Sequence, residues 1–113
     1  MFLREFHNLS SLEEVDRWIA ENELALLYIS RPNCSVCHGL KPQVQKLMDK
    51  YPAMELGHAD VQQTEELAGR FSIFTVPVLL VFWDGKEYLR EARIIHMGLL
   101  EEKLDKLYNN VAE

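Results

Sequence analysis

The stretch that most limits how this chain can fold is Val78-Leu79-Leu80-Val81-Phe82-Trp83, an apolar run without a polar interruption. It reads as the strongest strand of the sequence, and Leu24-Ala25-Leu26-Leu27-Tyr28-Ile29 has the same character. Strands that are apolar on both faces need cover on both faces, which in a small chain means helices above and below a sheet. The rest of the pattern supplies them. Ser11-Leu12-Glu13-Glu14 fits a capping box, and Leu12, Val15, Trp18 and Ile19 follow at helical spacing to about residue 22. Leu40, Val44, Leu47, Met48 and Tyr51 mark a second helix, with Pro42 inside its first turns predicting a kink. Residues 54–61 form a third strand and Thr64 to about Arg70 a short helix. Asp84-Gly85 is a hairpin turn returning through Glu87 to Ile95, and Leu100, Leu104, Leu107, Tyr108 and Val111 stripe a final helix. Phe2, Arg4 and Phe6 alternate weakly as an opening strand.

The order β-α-β-α-β-α-β-β-α predicts an α/β fold. Its central mixed sheet is mostly parallel, with an antiparallel hairpin at the edge and helices on both faces. Trp18 and Trp83 are expected in the core. Glu13-Glu14, Glu65-Glu66 and Glu101-Glu102 are expected at helix starts, where carboxylates oppose the dipole.

At 113 residues and 48% hydrophobic composition, without repeat or linker, the chain amounts to one domain over 1–113. A net charge of −6 would repel nucleic acid, so no such partner is expected. No run of about eighteen apolar residues offers a membrane span. The start lacks a cationic segment followed by a long apolar one, so the expected compartment is a reducing cytoplasm. There, two closely spaced cysteines point to catalysis or metal binding rather than to a structural bridge.

Those cysteines are Cys34-Ser35-Val36-Cys37, between the buried run and the second helix. At a helix N-terminus the first thiol meets unpaired amides and the positive end of the dipole, which favour its thiolate. The second thiol, one turn on, is close enough to close a disulfide. Cys34 is therefore the expected nucleophile and Cys37 the resolving thiol. Ser35 and Val36 sit where they tune the exchange. His38, as a cation, would favour the Cys34 thiolate; as an ordinary first-turn side chain it would be solvated. Thr75-Val76-Pro77 precedes the main strand, and two readings stand side by side. Pro77 is a structural stop, or a cis Val76–Pro77 bond holds the loop against the cysteines and leaves the Val76 backbone free to pair with substrate.

With these elements the chain resembles the thioredoxin family over nearly its whole length. The resemblance rests on Cys34-Ser35-Val36-Cys37, on Pro42 five residues beyond Cys37, on Val76-Pro77 and on Asp84-Gly85. It implies a thioredoxin fold, dithiol–disulfide exchange and a cis Pro77. Thioredoxins usually read Trp-Cys-Gly-Pro-Cys, whereas Asn33, Ser35 and Val36 stand here. The family's buried aspartate falls at Tyr28, its accompanying lysine at Leu56, and its groove glycine at Arg93. A phenol is a poor base at neutral pH, so water or a neighbouring group must take the proton of Cys37. Arg93 would narrow the groove or select an acidic partner.

Three other uses of the cysteines are set against this. Cys34-Ser35-Val36-Cys37-His38 formally matches a c-type haem attachment pattern, but haem attachment occurs outside the cytoplasm. A metal or iron–sulfur cluster would need a second chain, since His7, His58 and His96 are scattered. A docking module would have no chemical need of two thiols. The expectation is a monomeric thiol–disulfide oxidoreductase, with no dissociable cofactor and no metal. It would reduce protein disulfides and draw electrons from a reductase or another thiol, with Val76 and Pro77 docking the substrate.

Overall fold

The computed structural model describes residues 4–112. β1 (His7–Leu9) leads through α1 (Leu12–Glu21), β2 (Leu24–Ser30) and α2 (Ser35–Met48) to β3 (Glu55–Asp60). α3 (Glu66–Phe71) precedes the hairpin of β4 (Val78–Trp83) and β5 (Lys86–Ala92), and α4 (Met97–Ala112) closes the fold. The strands form one sheet in the order β1-β3-β2-β4-β5.

β2 and β4, the two apolar runs, lie side by side at its centre with Leu27 opposite Leu80. Alternation along them splits the core in two. Leu24, Leu26 and Tyr28, with Leu79 and Val81, pack beneath Leu40, Val44 and Met48 of α2 and Leu100, Leu104 and Leu107 of α4. Ala25, Leu27 and Ile29, with Val78, Leu80 and Phe82, pack against Val15, Trp18 and Ile19 of α1 and Leu67 and Phe71 of α3. Each large apolar side chain so buried contributes about 1.5–3 kcal/mol.

The sheet is less parallel than the alternation of elements suggests. β1–β3 and β3–β2 are parallel, while β2–β4 and β4–β5 are antiparallel, so the change of direction falls at the centre. A continuous apolar run reports cover on both faces, not strand direction. The first strand also lies later than the alternation of Phe2, Arg4 and Phe6 predicts. Phe2 falls outside the described residues, and Phe6 is buried but precedes the strand. Arg4 instead turns its guanidinium onto the carbonyls of Met48 and Tyr51, at 2.9 and 3.0 Å, and onto that of Met54. It thereby caps the end of α2 and the turn after it. Tyr51 lies beyond that helix, yet remains in its core, 2% exposed.

Ser11 caps α1 through its hydroxyl, which accepts from the Glu14 amide at 3.1 Å. The Glu14 carboxylate reaches the amide of Ser10 rather than that of Ser11. Asp84 and Gly85 both adopt positive φ, 53° and 83°, as the tight hairpin requires. The returning strand stops at Ala92, short of Ile95. Trp83, at the strand end, is 37% exposed and packs edge-on to Tyr88 rather than entering the core. Glu101 and Glu102 lie beyond the first turn of α4, where Glu101 pairs with Lys50. Among the described residues no helix is long and apolar enough to cross a membrane.

Candidate active site

β2 ends at Ser30 where β4 begins, Ile29 standing opposite Val78, and β5 ends beside it with Ala92 opposite Val78. The turn that carries Cys34 and the loop that carries Val76 and Pro77 therefore leave the sheet at one end. Cys34 is the N-cap of α2, with extended backbone angles, and is joined to Cys37 by a disulfide. The Cys37 amide donates to Cys34 Sγ at 3.1 Å, so the first sulfur occupies the place of a capping oxygen. The two sulfurs meet different surroundings. Cys34 is half-buried, whereas Cys37 is 1% exposed and faces the sheet.

Ser35 and Val36 lie on the outer side of that turn, Val36 being 61% exposed. His38 is exposed, and its Nε2 lies 2.8 Å from the Pro32 carbonyl oxygen, bridging the turn from its far side. Pro42 sits inside α2 and has no amide to offer the His38 carbonyl. Val76 is half-buried against the core cluster on the α1 side, while Pro77 is buried. The Val76–Pro77 peptide is cis. The Pro77 carbonyl accepts the Arg93 amide at 2.9 Å, which ties this loop to the end of β5.

Tyr28, fully buried, lies directly under the first turn of α2. Its hydroxyl donates to the Cys37 carbonyl at 2.6 Å, and burial pushes its pKa up to about 12. It is a protonated donor at neutral pH. Opposite it on β3 stands His58, in register with Tyr28, its ring 6.0 Å from the phenol. His58 Nε2 lies 2.6 Å from Ser30 Oγ, and the Phe6 ring stacks edge-on to the imidazole. Burial chiefly, with the charges of Lys41 and His38, lowers its pKa below 6.5, against the opposing pull of Asp60. The imidazole is therefore neutral at pH 7.

The sequence pattern brings together Cys34, Cys37, Val76 and Pro77, whereas His58 is scattered from the other histidines and gives no ligand spacing. The available signal was strand alternation, because Leu56 and His58 share the face that α2 covers. Among the described residues no group of three or more His, Cys, Asp and Glu side chains is placed to hold a metal ion.

Comparison with known proteins agrees with this geometry. The family model described as Thioredoxin matches residues 8–107. The thioredoxin-like protein YdfQ of Bacillus subtilis is 46% identical over 106 residues, covering 94% of this chain and 95% of its own. Thioredoxin-1 of Saccharomyces cerevisiae is 28% identical over 74 residues, 66% of this chain and 72% of its own. Among solved structures, Fasciola hepatica thioredoxin superposes with a TM-score of 0.79 at 26% identity, covering 88% of this chain and 98% of that one.

Proposed function

The chain belongs to the thioredoxin family and is a thiol–disulfide oxidoreductase, and from that premise we propose that it reduces protein disulfides through Cys34 and Cys37. The observation that carries this reading is the asymmetry of the pair. One sulfur caps a helix at the surface and the other is 1% exposed beneath it.

In the reduced protein the Cys37 amide and the free amides of the first turn face the Cys34 sulfur, which favours its thiolate. The Cys34 thiolate attacks one sulfur of a substrate disulfide. A Cys34–substrate bond forms, the substrate S–S bond breaks, and one substrate thiolate leaves. Cys37 passes its proton to water and attacks Cys34 Sγ, closing the Cys34–Cys37 disulfide and releasing the second substrate thiolate. Two electrons pass to the substrate, and a reductase or another thiol restores the dithiol. The dithiol is itself the electron carrier, so no dissociable cofactor is needed.

Val76 and Pro77 serve as the docking loop. Among the described residues no backbone hydrogen bond engages the Val76 amide or carbonyl, so an extended substrate segment can pair there. Among the described residues the three most exposed large apolar side chains, Phe74, Ile94 and Val36, lie near this end of the sheet and suit a protein substrate. Ser35 and Val36 tune the exchange from the turn between the sulfurs, and His38 braces that turn. We assign the protein a monomeric state and a reducing cytoplasm, where a dithiol of this kind stays charged with electrons.

A redox titration against dithiol buffers, with free thiols counted by alkylation and mass, tests the reading. One reversible two-electron transition confined to Cys34 and Cys37 is expected, and its midpoint separates a reductant from an oxidant. Cys34→Ser should abolish disulfide reduction, and Cys37→Ser should accumulate a mixed disulfide with substrate. Retained reduction by Cys34→Ser would sink the assignment.

A further inference from the structure

The arginines divide into those that are paired and those that are not. Arg4 is held by three carbonyls, Arg17 pairs with Glu13, Arg70 with Asp16 and Arg90 with Glu87. Of the described arginines only Arg31 and Arg93 have neither an ion pair nor a side-chain hydrogen bond, and both are exposed. Both stand at the end of the sheet that carries the dithiol. Arg31 follows β2, three residues before Cys34, and Arg93 follows β5. Since β4 lies between β2 and β5, the Val76–Pro77 loop lies between the two guanidinium-bearing turns.

Arg93 is also placed at a cost. Its φ of 65° belongs to the left-handed region that glycine adopts freely and arginine does not, and its amide is bonded to the Pro77 carbonyl. The acids nearby are engaged elsewhere. Glu91 pairs with Lys103, and the Asp60 carboxylate accepts the amides of Gln62 and Gln63. Glu65 lines a shallow cleft with Arg31 without pairing to it, so Arg93 is the less encumbered of the two.

We infer that Arg93, assisted by Arg31, selects substrate disulfides whose cysteine is flanked by carboxylates. This rests on the dithiol reading and names the substrate class for the same site. In a chain of net charge −6, two unpaired cations beside the docking loop oppose the overall repulsion of an acidic segment. At physiological ionic strength charges more than about 8 Å away are largely screened, so the nearest cations dominate.

The test uses short peptides, each with one cysteine held as a disulfide to the same neutral thiol and flanked by Glu, Gln or Lys. kcat/KM is measured for the full-length protein, for Arg93→Gly, which suits the left-handed backbone, and for Arg93→Lys, which restores the charge. Comparing proteins on one peptide set cancels the effect of flanking charges on the disulfide itself. The Glu-to-Gln preference should fall about three- to fivefold in Arg93→Gly, as for one exposed ion pair, and largely return in Arg93→Lys. Raised salt should narrow it in the native protein. The same Glu-to-Gln ratio in the native protein and Arg93→Gly overturns this inference alone. Failure to reduce any peptide overturns the dithiol reading and this inference with it.

Discussion

The Tyr28 hydroxyl donates to the carbonyl oxygen of Cys37 at 2.6 Å, joining the centre of the sheet to the first turn of the helix that carries the dithiol. That turn is therefore held from below as well as by its own backbone. Tyr28→Phe keeps the ring and deletes only this bond, at a cost of about 1 kcal/mol to stability, since the carbonyl remains within the helix. Urea denaturation in the oxidised and reduced states measures it. A variant as stable as the native protein in both states would show that the bond anchors nothing.

His58 makes stability depend on pH in one direction. Its folded pKa lies below the unfolded value of 6.5, chiefly through burial, so the unfolded chain binds a proton more readily. Its contribution is complete above about pH 6.5 and is lost as pH falls through the lower folded value. His58→Gln, which can still hydrogen-bond Ser30, should flatten that part of the stability–pH curve. Lys41, His38 and Asp60, whose charges act on the ring, are left in place. An unchanged slope in the variant would remove His58 as its source.

Gly57 is required by a close approach. A Cβ there would lie 2.8 Å from the Trp18 ring and 2.9 Å from Leu9 Cδ1. Both neighbours are buried, 8% and 2% exposed, so neither moves without opening the core. Gly57→Ala should destabilise by about 1–3 kcal/mol and alter the fluorescence of Trp18. Thermal unfolding followed by that signal checks both effects together.

Ser72 ends α3 in the left-handed region, φ 55° and ψ 53°, with its amide on the Ala68 carbonyl. Glycine takes this geometry without steric cost, so Ser72→Gly should stabilise by roughly 0.5–1 kcal/mol. A lower midpoint of denaturation in the variant would contradict the assignment of strain to this residue.

The parts of the fold that could be read from the sequence are those in which neighbouring residues carry the whole signal. The apolar runs at Leu24–Ile29 and Val78–Trp83 became the two central strands, and Asp84-Gly85 turned the hairpin between β4 and β5. The Cys34 turn and Val76–Pro77 were placed at the same end of the sheet by their positions at strand ends. What stayed hidden depends on partners distant in the chain. The direction of β4 against β2 is set by how the helices between them pack, and β1 carries only Leu9 as a buried residue. Trp83 is apolar, but the strand outlasts the helices that cover it. The neutrality of His58 comes from β2, α2 and Phe6 closing around it, none of which its own neighbours announce.

The grip of Arg4 on Met48, Tyr51 and Met54 also bears on how the chain comes off the ribosome. The last of its three acceptors is made fifty residues after it. β1 waits similarly, because among the described residues its one strand partner is β3. The segment from Arg4 to Leu9 is thus left without these bonding partners until β3 has been translated. Arg4 and Phe6, two residues apart with no place to dock, are what a nascent-chain chaperone would meet in that interval, and synthesis past β3 ends that exposure.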